Sequence, residues 1–341
     1  MKGLRKYMPP FAPDISGATS VFYEMGGIIV ICDAGGCSGN VCGFDEPRWF
    51  RKKSCIFSAG LRDMDAIFGR DDRLVAKLAD ACGQIEASCA VIIGTPVPAV
   101  IGTDYRALKR MAEKKTDLPV VCVEATGTHN CDKGEEAAWY ELVKEFAADS
   151  EKEDAVGILG ATPLSVSNLG FKARMEECFG KVYCYGLGDG LDAVRKMGGV
   201  SRLVVVSPAA VKAAEYVRDK FGIPCECIFP GADRLLQETA PDMDFRGRKV
   251  LIIHQQILAN ELRKLVREKG AAEVTCGSFF MMRNELKEEG DLSLSEEEDL
   301  IHASAGYDIV IGDMMMKPMV PESAEFIDIM HFACSGRIAE D

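Results

Sequence analysis

The sequence predicts an α/β protein of three successive units, each with a mainly parallel, roughly four-stranded sheet flanked by helices. Three observations carry that expectation. Short apolar runs alternate with amphipathic stretches along the whole chain, the pattern of parallel sheets covered by helices. At 341 residues the chain is too long for one ordinary core and suits two or three domains. A charged, linker-like stretch at 149–154 (DSEKED) breaks the pattern and is read as the end of the first domain. The expected divisions are 1–150, 151–240 and 241–341.

In the first unit, strands are expected at 27–32, 54–58, 90–94 and 119–124, with helices at 71–82 and 104–114. Leu74, Leu78 and Ala81 fall on one face of the first of these helices. The second unit carries expected strands at 155–159, 181–185, 203–206 and 225–228. Its helix 209–221 stops at Gly222-Ile223-Pro224, a glycine–proline terminator. The third opens at 248–253, continues through a helix at 258–269, and has strands near 273–276 and 308–311. Its acidic run 288–300 (EEGDLSLSEEEDL) reads as a solvated face, and Ser295 with Glu298 as a capping box.

Composition narrows the function. Hydrophobic residues at 48% and charged residues at 27% describe a soluble globular protein. A net charge of −13 argues against nucleic-acid binding. The basic start, MKGLRKYMPPFAP, lacks the apolar segment of a signal peptide, and no apolar run is long enough to span a membrane. A cytoplasmic location is expected. In a reducing compartment the 14 cysteines are not a disulfide framework, and Cys122, Cys184 and Cys276, beside apolar strands, read as small buried hydrophobes.

The stretch 31–50, ICDAGGCSGNVCGFDEPRWF, stands apart. Cys32, Cys37 and Cys42 recur at a five-residue step in a glycine-rich loop after a strand. Thiolates are preferred ligands of iron and zinc, glycines let a bulky group approach the backbone, and strand-end loops are where parallel α/β proteins hold ligands. The spacing matches neither a zinc ribbon nor the common ferredoxin pattern. Gly186-Leu187-Gly188-Asp189-Gly190 lacks the full dinucleotide fingerprint and reads as a tight turn, although a nucleotide-binding protein is the plain alternative. Cys225 and Cys227 share a strand face and read as packing. His129, in the polar loop Thr126-Gly127-Thr128-His129-Asn130-Cys131, is placed to face a ligand. His331 has apolar neighbours and reads as a core residue, while His254 could be either. Nucleophile-elbow, Walker A and H-E-x-x-H motifs are absent.

The order of several segments resembles the component 1 oxidoreductases of the nitrogenase superfamily. Asp33-Ala34-Gly35-Gly36-Cys37 is similar to the family's glycine-flanked cluster cysteine. Phe68-Gly69-Arg70-Asp71-Asp72-Arg73-Leu74 is similar to its FGGD-K-L segment, and Val100-Ile101-Gly102-Thr103-Asp104 to its I-G-D-D turn. Gly247-Arg248-Lys249-Val250 is similar to the opening of its third domain. Met330-His331 with Ser335-Gly336 is similar to the segment bearing the cofactor's histidine ligand.

The resemblance implies three Rossmann-like domains, and an iron–sulfur cluster shared across a dimer interface, with a second copy or a related component 1 subunit. It implies electrons from an ATP-dependent iron–sulfur reductase. Cys37 would be the main metal ligand, with Cys42 or Cys32 supplying others. Thr128, Gly36 and Gly102 would border the cofactor or cavity, and His331 and His129 would be the catalytic histidines, one of them a proton donor. Two family cysteines fall on non-cysteine positions, around 9–12 and on Thr95-Pro96-Val97, which implies a four-iron cluster or none rather than an eight-iron cluster. The cysteine anchoring the molybdenum–iron cofactor falls on Val206-Ser207, so neither that cofactor nor dinitrogen reduction is expected. A non-catalytic scaffold or carrier for a metallocluster or tetrapyrrole is the alternative.

Overall fold

The computed structural model describes residues 5–339; the first four residues, part of the basic start, lie outside them. Among the described residues thirteen strands form three sheets, and every pairing within them is parallel. Three parallel sheets flanked by helices are what the sequence predicted.

The first unit runs α1 (Asp14–Phe22), β1 (Ile28–Ile31), α2 (Gly36–Asn40), β2 (Cys55–Ser58), α3 (Asp63–Phe68), α4 (Asp71–Cys82), β3 (Ala90–Ile93), α5 (Pro96–Ile101), α6 (Tyr105–Thr116), β4 (Val120–Val123) and α7 (Cys131–Phe146). Its sheet order is β2-β1-β3-β4, with Ile28 opposite both Cys55 and Ala90. β1 (IIVI) and β3 (AVII) are apolar throughout because helices bury both faces. Leu74, Leu78 and Leu108 from α4 and α6 cover one face. Phe22, Ala138 and Leu142 from α1 and α7 cover the other.

The second unit holds β5 (Val156–Leu159), α8 (Pro163–Val166), α9 (Phe171–Phe179), β6 (Val182–Cys184), α10 (Leu191–Arg195), β7 (Arg202–Val205), α11 (Val211–Phe221), β8 (Cys225–Cys227) and α12 (Ala232–Thr239), in the order β6-β5-β7-β8. Gly222 ends α11 in the left-handed conformation, as its sequence signal predicts. The third holds β9 (Lys249–Ile253), α13 (Gln256–Glu268), β10 (Glu273–Ser278), β11 (Leu292–Ser293), α14 (Glu297–Ser304), β12 (Ile309–Gly312), β13 (Glu325–Asp328) and α15 (Phe332–Ser335). Its sheet has five strands, β11-β10-β9-β12-β13. The two edge strands escaped the sequence reading because neither is a continuous apolar run.

One buried cluster continues from α1 and α7 through the second sheet to one face of the third. The charged stretch at 149–154 is pinned rather than free: Glu153 N donates to the Gly199 carbonyl, and Lys152 Nζ to the Gly198 carbonyl. The acidic run is also more than a solvated face. Glu297 is buried and accepts from the backbone N–H groups of Lys6, Tyr7 and Met8, and Asp291 pairs with buried Arg263 at 2.6 Å. The capping box lies one residue beyond the predicted pair, on Glu296 and Asp299. Among the described residues no helix is long and apolar enough to cross a membrane.

Candidate functional site

In each sheet the chain reverses its order of strand addition at one gap, and loops leaving the strands there splay apart to form a crevice. The gap lies between β1 and β3, between β5 and β7, and between β9 and β12. Cys37 follows β1. Thr162 and Ser165 follow β5, Ser207 follows β7, and His254 and Gln255 follow β9.

The cysteine loop is stapled by Asp33, whose carboxylate accepts from Ser38 N at 2.8 Å and Ser58 Oγ at 2.6 Å. Gly35 takes φ of +119°, which a side chain would resist, and starts α2. A Cβ on Gly36, Gly39 or Gly43 would meet no atom within 4 Å, so no packing inside the chain requires those glycines. Gly102 caps α5 at φ +69° and likewise faces open space. Cys37 and Cys42 are half-buried, on α2 and on the π-turn Val41–Asp45. Burial raises both thiols, helped by Asp33 at Cys37 and Glu46 at Cys42. Cys32 is not brought to them. It is buried in the cluster under α4, whereas Cys37 packs on the opposite cluster. Among the described residues no three His, Cys, Asp or Glu side chains of this chain are grouped to hold a metal ion.

Behind the loop, buried Arg48 donates to Glu46, Glu24, Ser20 and the Gly186 carbonyl, tying the first unit to the Gly186–Gly190 turn. That turn has Gly186 and Gly188 at positive φ, matching its reading as a tight turn. Beside the loop lies exposed apolar surface. Phe44 and Phe50 project from it, and Ile67, Phe68 and Val100 project from α3 and α5.

A second constellation fills the junction of the three units. Cys131, Glu135, Ser165, Ser207, Gln255 and His331 line a crevice with about 20 Å³ open to the centre of a water molecule, room for about one water. Glu135 is 1% exposed. It accepts from Thr162 Oγ1 and from Ser165 Oγ at 2.7 Å, and Ser165 Oγ lies 3.2 Å from Ser207 Oγ. Burial outweighs these hydrogen bonds and pushes its carboxyl up to about 7. Gln255 Nε2 donates to the Val206 carbonyl at 2.9 Å, joining the second and third units at this point.

His331 and Ser207 share this crevice; Thr128 and His129 do not line it. His129 is 59% exposed, with Nδ1 3.2 Å from Thr126 Oγ1 and 3.6 Å from Asp14 Oδ2. His331 is buried and stacks on His254, ring centroids 4.3 Å apart. Burial, then the neighbouring His254, holds His331 well below the usual histidine range. His254 accepts from Gln255 N at Nδ1 and donates from Nε2 to the Met330 carbonyl. The premise of an unperturbed histidine poised near neutrality therefore does not hold for His331. The group tuned to that range is Glu135, which the sequence reading missed. Its signal was present: buried residues of α7 recur at 131, 134, 135, 138, 139 and 142, placing Glu135 on the apolar face.

The family model described as nitrogenase component 1 type oxidoreductase matches residues 14–233, more than half of the chain. The nitrogenase iron-molybdenum cofactor biosynthesis protein NifE of Bradyrhizobium diazoefficiens is 22% identical over 220 residues, 59% of this chain and 40% of its own length. NifE of Clostridium pasteurianum is 26% identical over 251 residues, 65% of this chain and 53% of its own length. The chain thus spans about half the length of the curated relatives it matches. Two solved structures, nitrogenase Cp1 at pH 6.5 and at pH 5, superpose with TM-scores of 0.71 and 0.62 at 12% and 14% identity. They cover 96% and 98% of this chain, and 87% and 78% of their own. At that identity the likeness shows the fold.

Proposed function

Because the chain belongs to the nitrogenase component 1-type oxidoreductases, we propose that it is an iron–sulfur electron-transfer subunit that reduces a molecule bound between its units. The observation that carries this reading is the setting of Cys37: a half-exposed thiol at the strand-order reversal of the first sheet, among glycines that face open space. Cys37 and Cys42 from each of two copies supply four thiolates, the donor set of a four-iron cluster. A twofold axis makes that arrangement self-complementary. Cys32, in the core, is left out of the set. The bound cluster would accept and pass single electrons.

The chain's own residues supply the rest. Glu135 holds a proton near neutrality at the crevice floor and can exchange it through Ser165 with Ser207. The exposed apolar surface of α3 and α5 is offered to an ATP-dependent iron–sulfur reductase. The molybdenum–iron cofactor and dinitrogen reduction are not part of this reading. A cytoplasmic location suits the reduced thiols. The second reading, a non-catalytic carrier or scaffold for a metallocluster or tetrapyrrole, draws support from the named role of the NifE relatives in cofactor biosynthesis.

The test is anaerobic mixing with such a reductase and MgATP. The parent takes up electrons, seen as bleaching of cluster absorbance, and Cys37→Ser does not. Uptake with no change in any added reducible compound favours the carrier. No uptake by cluster-loaded parent rejects electron transfer.

A further inference from the structure

The crevice at Glu135 admits about one water, whereas a separate cleft on the far side of the Met330–His331 segment encloses about 610 Å³. That volume falls within the roughly 300–1,000 Å³ of small-molecule sites. We propose that this cleft, walled by α9 and α12, binds a flat, largely apolar organic molecule.

The cleft is built for an apolar body. Phe171 and Phe229 are buried at its base as a tilted ring pair, centroids 5.5 Å apart, with Met175 and Leu258 buried beside them. Aromatic faces and polarisable thioethers accommodate planar rings. The rim carries Arg174 and Asp233 together with several paired charges. Arg234 bonds Glu238 at 2.7 Å and Glu177 at 3.5 Å, and Asp328 bonds Arg337 at 2.6 Å. Glu177, Glu238 and Asp328 are thus paired with arginines, and the apolar floor offers the contact area. One wall is held in a sparsely populated backbone conformation. Ser167 lines the cleft at φ +56°, fixed by Phe332 N donating to its Oγ and Ala339 N donating to its carbonyl. The inference concerns binding alone and stands whether or not the chain transfers electrons.

The neutral, planar dye Nile red, titrated into the full chain, tests it. One saturable site with blue-shifted emission is expected. Cys178→Trp on α9 and Thr239→Trp on α12 fill the mouth from opposite walls at exposed positions, so both variants should fold, as a thermal melt verifies. Either folded variant should bind at least about tenfold more weakly, the effect of losing about 1.4 kcal/mol. Ile67→Glu, on the exposed α3 surface, should bind like the parent. The proposal is overturned by absence of a saturable site, by binding that survives in both tryptophan variants, or by binding lost in Ile67→Glu.

Discussion

Gly134→Ala should lower the melting temperature by about 4 °C, the consequence of about 3 kcal/mol of lost stability. A Cβ on Gly134 would lie 1.7 Å from the Asp14 carbonyl oxygen, and one on Gly17 would lie 1.9 Å from the Cys131 carbonyl oxygen. α1 and α7 therefore touch backbone to backbone, and no rotamer can relieve the clash. The helices must separate, and Glu135, the next residue, moves away from Thr162 and Ser165. Gly36→Ala is the internal control, because its Cβ would meet nothing. Differential scanning calorimetry reads both; an unchanged midpoint for Gly134→Ala contradicts the packing described.

Glu135→Gln should change how stability depends on pH. The folded carboxyl keeps its proton up to about 7, whereas the unfolded chain releases it near 4.5. Between those values the folded state binds more protons, so this group's contribution to stability falls as pH rises from about 4.5 to about 7. The difference is worth on the order of 3 kcal/mol. His254 and His331 act in the opposite direction. Burial lowers His254 to about 4 and holds His331 below 6.5, so their contributions are lost as pH falls below 6.5. The two effects oppose each other in the parent. In Glu135→Gln that falling contribution is gone, so the variant gains stability relative to the parent as pH rises from about 4.5 to about 7. Urea unfolding at pH 5 and pH 8 measures this; parallel curves for parent and variant would contradict a tuned Glu135.

Much of the fold was legible because parallel strands buried on both faces are short apolar runs. Each expected strand is present, from IIVI in β1 to IVIG in β12. β13 (EFID) was not, since an edge strand with one face toward solvent mixes charge with apolar residues. α7 was hidden by its composition: CDKGEEAAWYELVKEF carries charges through its whole length, and only its period separates the buried Glu135 from the half-exposed Glu136. The loop cysteines could be found by type, but not their directions. The last strand residue before the loop sends Cys32 to one core cluster, and the α2 turn sets Cys37 against the other. His331 and Ser207 line one crevice, whereas the loop that carries His129 is held by Thr126 and Gly127 N–H groups donating to Asp14, a contact no motif announced.

Iron and acid-labile sulfide analysis of anaerobically prepared protein, with EPR before and after dithionite, tests the cluster assignment most directly. The parent should hold about four irons per dimer and give a reducible cluster signal, with both lost in Cys37→Ser. A parent without iron after anaerobic reconstitution, or a Cys37→Ser variant with the parent's iron content and spectrum, would contradict it.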